Sequence, residues 1–209
     1  HRPVVLSPDP LKVDLGRIDL AATPLGLLWG KTAPAWHNSE ARGVGADATL
    51  ADFRGKWLLL DFWGYWCGPC VESMPELIDF YEGHGADRSR FEILAMHSRG
   101  RSLREMDEKL RPIVKDLWKG RALPFPILLD ATNTTTTRFG IQSFPSQVLI
   151  DPEGRIVRNG NLSVHARILD YQRAPSLPVP VSPDGSPLAA ISTHWSASLV
   201  DLQTGNRLL

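Results

Sequence analysis

Cys67 and Cys70 are the only cysteines in the 209-residue chain, and two residues separate them. Two thiols at this spacing can close reversibly into a small disulfide ring, which is the chemistry of dithiol–disulfide exchange. The apolar run at residues 57–63 predicts a buried strand before the pair, and apolar spacing predicts a helix over residues 71–81 after it. Unpaired N–H groups at the start of a helix favour a thiolate over a thiol, so this junction suits a reactive cysteine.

The cysteine pair admits three other interpretations: half of a zinc site, a structural disulfide, and two buried thiols. A zinc site needs two further ligands, but the six histidines are scattered along the chain with no pair at ligand spacing. A disulfide that closes so short a loop stabilises little in the chain-entropy account, because the gain grows with loop length. The redox interpretation is therefore favoured.

Charge and composition narrow the classes of partner. Lysine plus arginine and aspartate plus glutamate each number 23, so the net charge is zero, and 43% of the residues are hydrophobic. A neutral chain argues against nucleic acid or an acidic membrane surface as the main partner. No apolar run approaches the ~20 residues of a membrane span, so a membrane anchor is expected only outside this chain. Because the chain opens on His1 rather than Met, we expect a processed or trimmed piece.

Hydrophobic periodicity predicts the element order β, α, β, α, β, α, β, β, α. This order predicts the α/β class, with a central mixed β-sheet flanked by helices on both faces. We expect an N-terminal extension at residues 1–29, with one or two short strands, and a main domain at residues 30–173. A linker with three prolines in residues 174–180 then leads into a short β tail, so that the third segment is 174–209. The predicted strands and helices are 58–63, 71–81, 91–96, 103–118, 125–129, 134–140, 147–150, 155–157 and 163–172.

Residues 61–70 resemble the active-site stretch of thioredoxin, except at the two positions before Trp66. Within the thioredoxin superfamily the chain is most similar to the TlpA/ResA-like thiol–disulfide oxidoreductases. That similarity rests on Gly-Lys-x-Ala-Pro at 30–34, Met-Pro-Glu-Leu at 74–77 and the stretch at 143–154. It covers about residues 30 to 172. The resemblance implies a thioredoxin-like fold, a thiol–disulfide oxidoreductase without cofactor or metal, and an extracytoplasmic location.

The resemblance also implies catalytic roles. Cys67 would be the exposed nucleophile, Cys70 the buried resolving thiol, and Asp61 a proton relay beneath the pair. Thioredoxin pairs its buried acid with a lysine on the next strand, but residues 91–96 contain no lysine. His97, directly after that strand, could lie near the site, although such a histidine is more often a satisfied strand-end residue.

Five further residues are expected to contact substrate: Trp66, Gly68, Pro69, Phe144 and Pro145. Pro145 would be the cis-proline whose loop faces the disulfide. Phe144 occupies a position where smaller residues are usual, which alters the substrate groove. Gly-Pro between the cysteines is the dipeptide of reducing thioredoxin, and it predicts a potential nearer roughly −270 mV than the −120 mV of DsbA.

The C-terminal tail resembles part of one WD40 propeller blade, in residues 182–191 and 197–205. A plain β-hairpin is the equal alternative. If the blade interpretation is right, the protein continues past Leu209 into a propeller, because one blade cannot bury its own faces.

The predicted function is protein-disulfide reduction by dithiol–disulfide exchange. The expected partners are a disulfide-containing protein or small thiol substrate and an upstream thiol reductant. Two alternatives remain: a thiol peroxidase of peroxiredoxin-like type, and a thioredoxin-fold docking module of a larger propeller protein.

Overall fold

The apolar run before the cysteines forms an inner strand of a mixed β-sheet. The computed structural model describes residues 5–6, 13–14, 22–160, 189–193 and 196–200. The strands are β1 (Val5–Leu6), β2 (Val13–Asp14), β3 (Glu40–Arg42), β4 (Trp57–Trp63), β5 (Phe91–Ser98), β6 (Ile127–Asp130), β7 (Ser146–Ile150), β8 (Ile156–Gly160), β9 (Ala189–Thr193) and β10 (Ser196–Val200). The α-helices are α1 (Gly68–Gly83), α2 (Leu103–Asp116) and α3 (Thr134–Arg138).

Six strands form the main sheet in the order β3-β6-β5-β4-β7-β8. β4, β5 and β6 run parallel to one another, and α1 and α2 supply the crossovers that parallel strands require. β7 is antiparallel to β4, β8 is antiparallel to β7, and β3 is antiparallel to β6. The predicted mixed sheet with flanking helices is therefore confirmed.

Two apolar cores lie on opposite faces of this sheet because successive side chains of a strand alternate between faces. The α1 face is the side to which Trp57, Leu59, Asp61 and Trp63 of β4 belong, and it packs against α1 and α2. The α3 face carries Leu58, Leu60 and Phe62 of β4, and it packs against Phe139 at the end of α3. Leu25, which lies before the predicted domain boundary, is buried in the same core.

β3 is the one strand of the main sheet that periodicity did not predict. Its residues, Glu40-Ala41-Arg42, are too few and too polar to give an apolar pattern. Contacts with α2 and pairing with β6 hold it in place: Arg42 forms a bidentate ion pair with Asp107, and the Glu40 carboxylate accepts the Leu103 N–H at 2.9 Å. Both partners lie far along the chain, so no local pattern indicates them.

The remaining predictions are met to different degrees. α2 ends at Asp116, two residues before the predicted end, and both α1 and α2 continue through an internal proline. β1 pairs with β2 and β9 pairs with β10, each antiparallel. A hairpin in the tail fits both a WD40 blade and a plain hairpin, so that choice and the domain boundaries stay predictions. The predicted helix at 163–172 and linker at 174–180 lie outside the described residues.

Candidate active site

The cysteine pair lies at the junction of β4 and α1, as predicted. Cys67 is the N-cap residue of α1, and its Sγ accepts a hydrogen bond from the Cys70 N–H at 3.3 Å. Pro69 occupies the first turn, where a missing N–H leaves no bond unmade. The two cysteines are joined in a disulfide. This cap places a sulfur at the positive end of a helix, which stabilises a negative charge on it.

Exposure differs from the expectation at one of the two cysteines. Cys70 is buried at 1% exposure, as the resemblance implied, but Cys67 is also buried, at 7%. Its Sγ is bonded to the buried Cys70, while Gly68 and Pro69 are exposed in front of the pair. The expectation of an exposed Cys67 is therefore wrong for the oxidised pair, in which only the intervening Gly-Pro dipeptide is exposed.

Asp61 is buried on the α1 face of β4, the same face that contains both cysteines. Its Oδ1 accepts a hydrogen bond from the Gln147 side-chain amide at 3.1 Å. The antiparallel register of β4 and β7 places these two residues directly opposite one another, and Ala95 is the partner on β5. An uncharged amide thus occupies one side of the carboxyl group and a methyl group the other.

Burial raises the pKa of Asp61 from its ordinary value of 3.8 to about 7, because a charged carboxylate is poorly solvated there. The hydrogen bond from Gln147 opposes this rise by stabilising the charged form. A carboxyl group that titrates near neutral pH can both accept and return a proton, which is the property that a general base requires.

His97 lies beside the active-site loop, at the end of β5. Its Nε2 accepts the Tyr65 N–H at 3.2 Å, and its ring stacks on the Tyr65 ring at 5.1 Å. Trp63 meets the imidazole edge-on at 5.1 Å. These contacts fasten the segment between β4 and Cys67 to the neighbouring strand.

Burial lowers the pKa of His97 from 6.5 to about 4, because the charged imidazolium loses its hydration. A neutral ring suits its role as acceptor for Tyr65. Glu105 of α2 also reaches this segment, because its carboxylate accepts the Tyr65 hydroxyl at 3.3 Å. Strand β5 and helix α2 therefore brace the loop from two sides.

The loop before β7 lies beside the cysteine pair. The Phe144–Pro145 peptide bond is cis, as the resemblance implied. Register pairs Ser146 of β7 with Phe62 of β4, so this loop and the end of β4 meet at one edge of the sheet. The Phe144 ring contacts the Trp66 ring edge-on, with centroids 5.1 Å apart. Trp66 is 40% exposed and thus offers an aromatic surface to solvent.

The structure places the predicted residues on β4, at the start of α1 and in the loop before β7. The register of β4 with β7 and the contact between Trp66 and Phe144 join these three elements. The structure adds three residues that the sequence analysis did not select: Gln147, Tyr65 and His97. Gln147 is a polar residue at the start of an otherwise apolar strand, which is a visible clue, but only the register identifies Asp61 as its partner. For His97 the sequence offers only its position at a strand end, and its contact with Tyr65 is tertiary.

The described residues form neither a metal cluster nor a membrane-spanning helix. No group of three or more histidine, cysteine, aspartate or glutamate side chains within them is arranged to hold a metal ion. No helix in this part of the chain is long and apolar enough to cross a membrane.

Known proteins resemble the chain over the same region. The thiol-disulfide oxidoreductase ResA of Geobacillus thermodenitrificans is 33% identical over 130 residues, covering 61% of this chain and 66% of the relative. ResA of Bacillus thuringiensis is 29% identical over 129 residues, covering 62% and 67%. The solved thioredoxin domain of a thiol-disulfide oxidoreductase from Bacteroides vulgatus superposes with a TM-score of 0.54 at 22% identity, covering 68% of this chain and 96% of that domain.

These matches confirm the thioredoxin-like fold and the resemblance to the TlpA/ResA-like proteins. The model of the AhpC/TSA family matches residues 29–159, well over half of the 209 residues. The chain belongs to the AhpC/TSA family.

Proposed function

We propose that this chain is a protein-disulfide reductase, which transfers two electrons from its Cys67–Cys70 dithiol to a substrate disulfide. Its class, a thiol–disulfide oxidoreductase, follows from the ResA relatives together with the cysteine pair. The observation that carries the proposal is Cys67 as the cap of α1, with its Sγ bound by the Cys70 N–H. A sulfur in that position is favoured as a thiolate, the form that attacks disulfides.

In the first step, the Cys67 thiolate attacks one sulfur of the substrate disulfide. A mixed disulfide forms between Cys67 and the substrate, and the other substrate sulfur leaves as a thiolate. Gly68 and Pro69, the first two residues of α1, are exposed next to Cys67, whereas Cys70 is buried. The substrate therefore approaches from the side of the exposed Gly-Pro dipeptide.

In the second step, Asp61 takes the proton of the Cys70 thiol, and the resulting thiolate attacks Cys67 Sγ. The enzyme disulfide closes, and the second substrate sulfur leaves as a thiolate. Asp61 suits this role because it is buried on the face that holds Cys70 and its pKa is raised to about 7. A carboxylate with an ordinary pKa would be too weak a base for a thiol.

Trp66, Phe144 and Pro145 form the surface on which the substrate backbone lies. The contact between the Trp66 and Phe144 rings joins the cysteine loop to the cis-proline loop, so both present one continuous edge. The bulky Phe144 narrows this edge relative to a site with a small residue there. We infer that the substrate enters as an extended segment rather than a packed surface.

Turnover needs a thiol reductant that returns two electrons to the enzyme disulfide. The Gly-Pro dipeptide supports net reduction of substrates rather than oxidation. We also place the enzyme outside the cytoplasm, a proposal supported by its similarity to the TlpA/ResA-like proteins. In an oxidising compartment a dedicated reductase would be required, because thiols there do not stay reduced unaided.

The decisive measurement is the reduction potential of the Cys67–Cys70 pair, obtained by equilibration with glutathione followed by thiol alkylation. We expect roughly −250 mV or lower, in the range of reducing proteins. A potential near roughly −120 to −180 mV would instead indicate an oxidase or isomerase. The Cys67→Ser variant is the control, because it cannot form the disulfide but keeps a polar side chain at the N-cap.

Two companion assays separate the remaining alternatives. Cys70→Ser should accumulate the mixed disulfide with substrate, since the resolving thiol is missing. Reduced wild type should consume hydrogen peroxide no faster than a simple dithiol; rapid consumption would favour the thiol peroxidase. Equal activity of wild type and Cys67→Ser would favour the docking module.

A further inference from the structure

Arg99 lies at the edge of the proposed substrate surface, directly after β5. Its guanidinium carbon is 5.2 Å from the centre of the Trp66 ring, and the side chain is exposed. The Trp66 indole N–H donates to the Ser98 carbonyl at 3.0 Å, so the ring is fixed beside the arginine. The exposed aromatic edge next to Cys67 therefore carries a positive charge.

The backbone at Arg99 has an unfavourable conformation. Its φ is 60°, in the left-handed region that costs residues with a Cβ stability. The Arg99 N–H donates to the Asp130 carbonyl at 3.3 Å, which holds the backbone there. A glycine or asparagine would fit this position with less strain. A long charged side chain at a strained position beside an active site suggests a functional requirement.

The charge of Arg99 is not neutralised within the described part of the chain. The ion pairs recorded there use Arg42, Arg104, Arg121 and Arg155, but neither Arg99 nor its neighbour Arg101. Glu105 approaches this loop, but its carboxylate is occupied by the Tyr65 hydroxyl and the Arg101 N–H. Stacking on Trp66 leaves the N–H groups of the Arg99 guanidinium free to donate to an acceptor from outside.

We infer that Arg99 is a specificity-determining residue, which binds the carboxylate of an acidic side chain beside the disulfide of the substrate polypeptide. This inference rests on the proposed function. A guanidinium held over an aromatic ring can donate two parallel N–H bonds to a carboxylate. Trp66 and Phe144 contact the substrate whatever its charge, whereas Arg99 distinguishes acidic from neutral and basic neighbours.

The test uses three synthetic peptides that each contain one internal disulfide. They differ only at the residue next to the first cysteine, which is Glu, Gln or Lys. Reduced enzyme is mixed with each peptide in a single turnover, in which the enzyme dithiol becomes a disulfide and the peptide disulfide becomes two thiols. The rate constant is read at low and at high salt.

We expect the Glu peptide to react about two- to fivefold faster than the Gln peptide, the scale of one exposed charge pair. The Lys peptide should be slowest, and high salt should bring the rates together. Arg99→Gln should make the Glu and Gln peptides equal, and Arg99→Glu should reverse the order. Arg99→Gly, which relieves the backbone, should fold and also lose the preference.

Lys119→Gln is the matched control, because Lys119 is also exposed and has a φ of 53°. It should retain the preference of wild type. Equal rates for all three peptides with wild type, or an unchanged preference in Arg99→Gln, would overturn the inference while leaving the reductase in place. A uniform loss of rate in Arg99→Gln and Arg99→Gly would overturn it in favour of a structural role. No reduction of any peptide by wild type would overturn the proposed function itself.

Discussion

The two faces of the central sheet are packed alike but differ in chemistry. On the α3 face, β4 contributes Leu58, Leu60 and Phe62, all fully buried among apolar neighbours. On the α1 face, the same strand places Asp61 between Leu59 and Trp63, and the adjoining strands add Gln147 and His97. One strand therefore contributes to an entirely apolar core on one face and to a core with titratable side chains on the other.

This difference shows where the fold gives up stability for function. A hydrocarbon side chain is stabilised by burial at any pH. A buried carboxyl group or imidazole is stabilised only in its neutral form, so its contribution depends on pH. Burial favours the neutral form of both Asp61 and His97. It therefore raises the pKa of the acid Asp61 and lowers the pKa of the base His97.

Leu60→Ala should give the largest change in stability. Leu60 is fully buried on the α3 face, and truncating such a side chain to alanine should lower the free energy of unfolding by about 2–5 kcal/mol. The loss should be the same at about pH 5 and about pH 8, because no titratable group is involved. Denaturant unfolding of the oxidised chain measures it. Leu59→Ala on the α1 face is the matched control, with a loss in the same range; a pH-dependent loss for Leu60→Ala would contradict the contrast.

Asp61→Asn should raise stability at alkaline pH. Between pH 3.8 and about 7 the unfolded chain has released the Asp61 proton while the folded chain retains it, so the stability from this group falls as pH rises. Above about pH 7 the folded chain bears a buried charge, at a cost of up to ~4 kcal/mol. The amide avoids that cost.

Denaturant unfolding of oxidised Asp61→Asn and of oxidised wild type, from about pH 4 to about pH 8, measures the difference in their stability. The variant should match wild type most closely near pH 4 and exceed it most near pH 8. Its single-turnover reduction of substrate should be slower, and the slow step should be release of the mixed disulfide. A variant less stable than wild type at about pH 8 would show that Asp61 is not held neutral by burial.

His97→Gln should make the folded chain lose less stability than wild type as the pH falls from 6.5 to about 4. Between pH 6.5 and about 4 the unfolded chain binds a proton at His97 that the folded chain does not, so stability falls as pH falls, by up to ~3 kcal/mol. Glutamine removes this titration and can still accept the Tyr65 N–H. In wild type, a fall in pH over this window raises the stability contributed by Asp61 and lowers that contributed by His97. Removing one of the two groups should therefore leave the pH dependence of the other visible. Equal pH slopes for wild type and His97→Gln would refute this.

Gln147→Leu should have the smallest effect. The Gln147 amide lowers the pKa of Asp61 by donating to its carboxylate, so removing it should raise that pKa further. Titration of the Asp61 side chain by NMR measures the change. The pH at which the rate of mixed-disulfide release is half-maximal should rise in parallel with this pKa. A lowered or unchanged pKa would mean that Gln147 is not the relevant donor.

Much of the fold could be predicted because its elements are marked locally. The apolar run of β4 and the helical spacing of α1 each carry their own pattern. β3 could not be predicted, because Glu40-Ala41-Arg42 has no apolar pattern and owes its strand conformation to β6 and α2. The burial of Cys67 could not be predicted either, because it lies in a core cluster assembled from residues distant in the sequence.

In the candidate site, too, some features depend on adjacent residues and others on tertiary contacts. Sequence alone determined the cysteine pair, its position at a strand–helix junction and the identity of Asp61 as a carboxyl group in an apolar strand, since all three depend on adjacent residues. Only the tertiary structure decided that Gln147 faces Asp61, that His97 holds Tyr65 and that Arg99 stacks on Trp66. These contacts join residues about thirty or more positions apart. Strand register and loop closure set them, and neither is written in local periodicity.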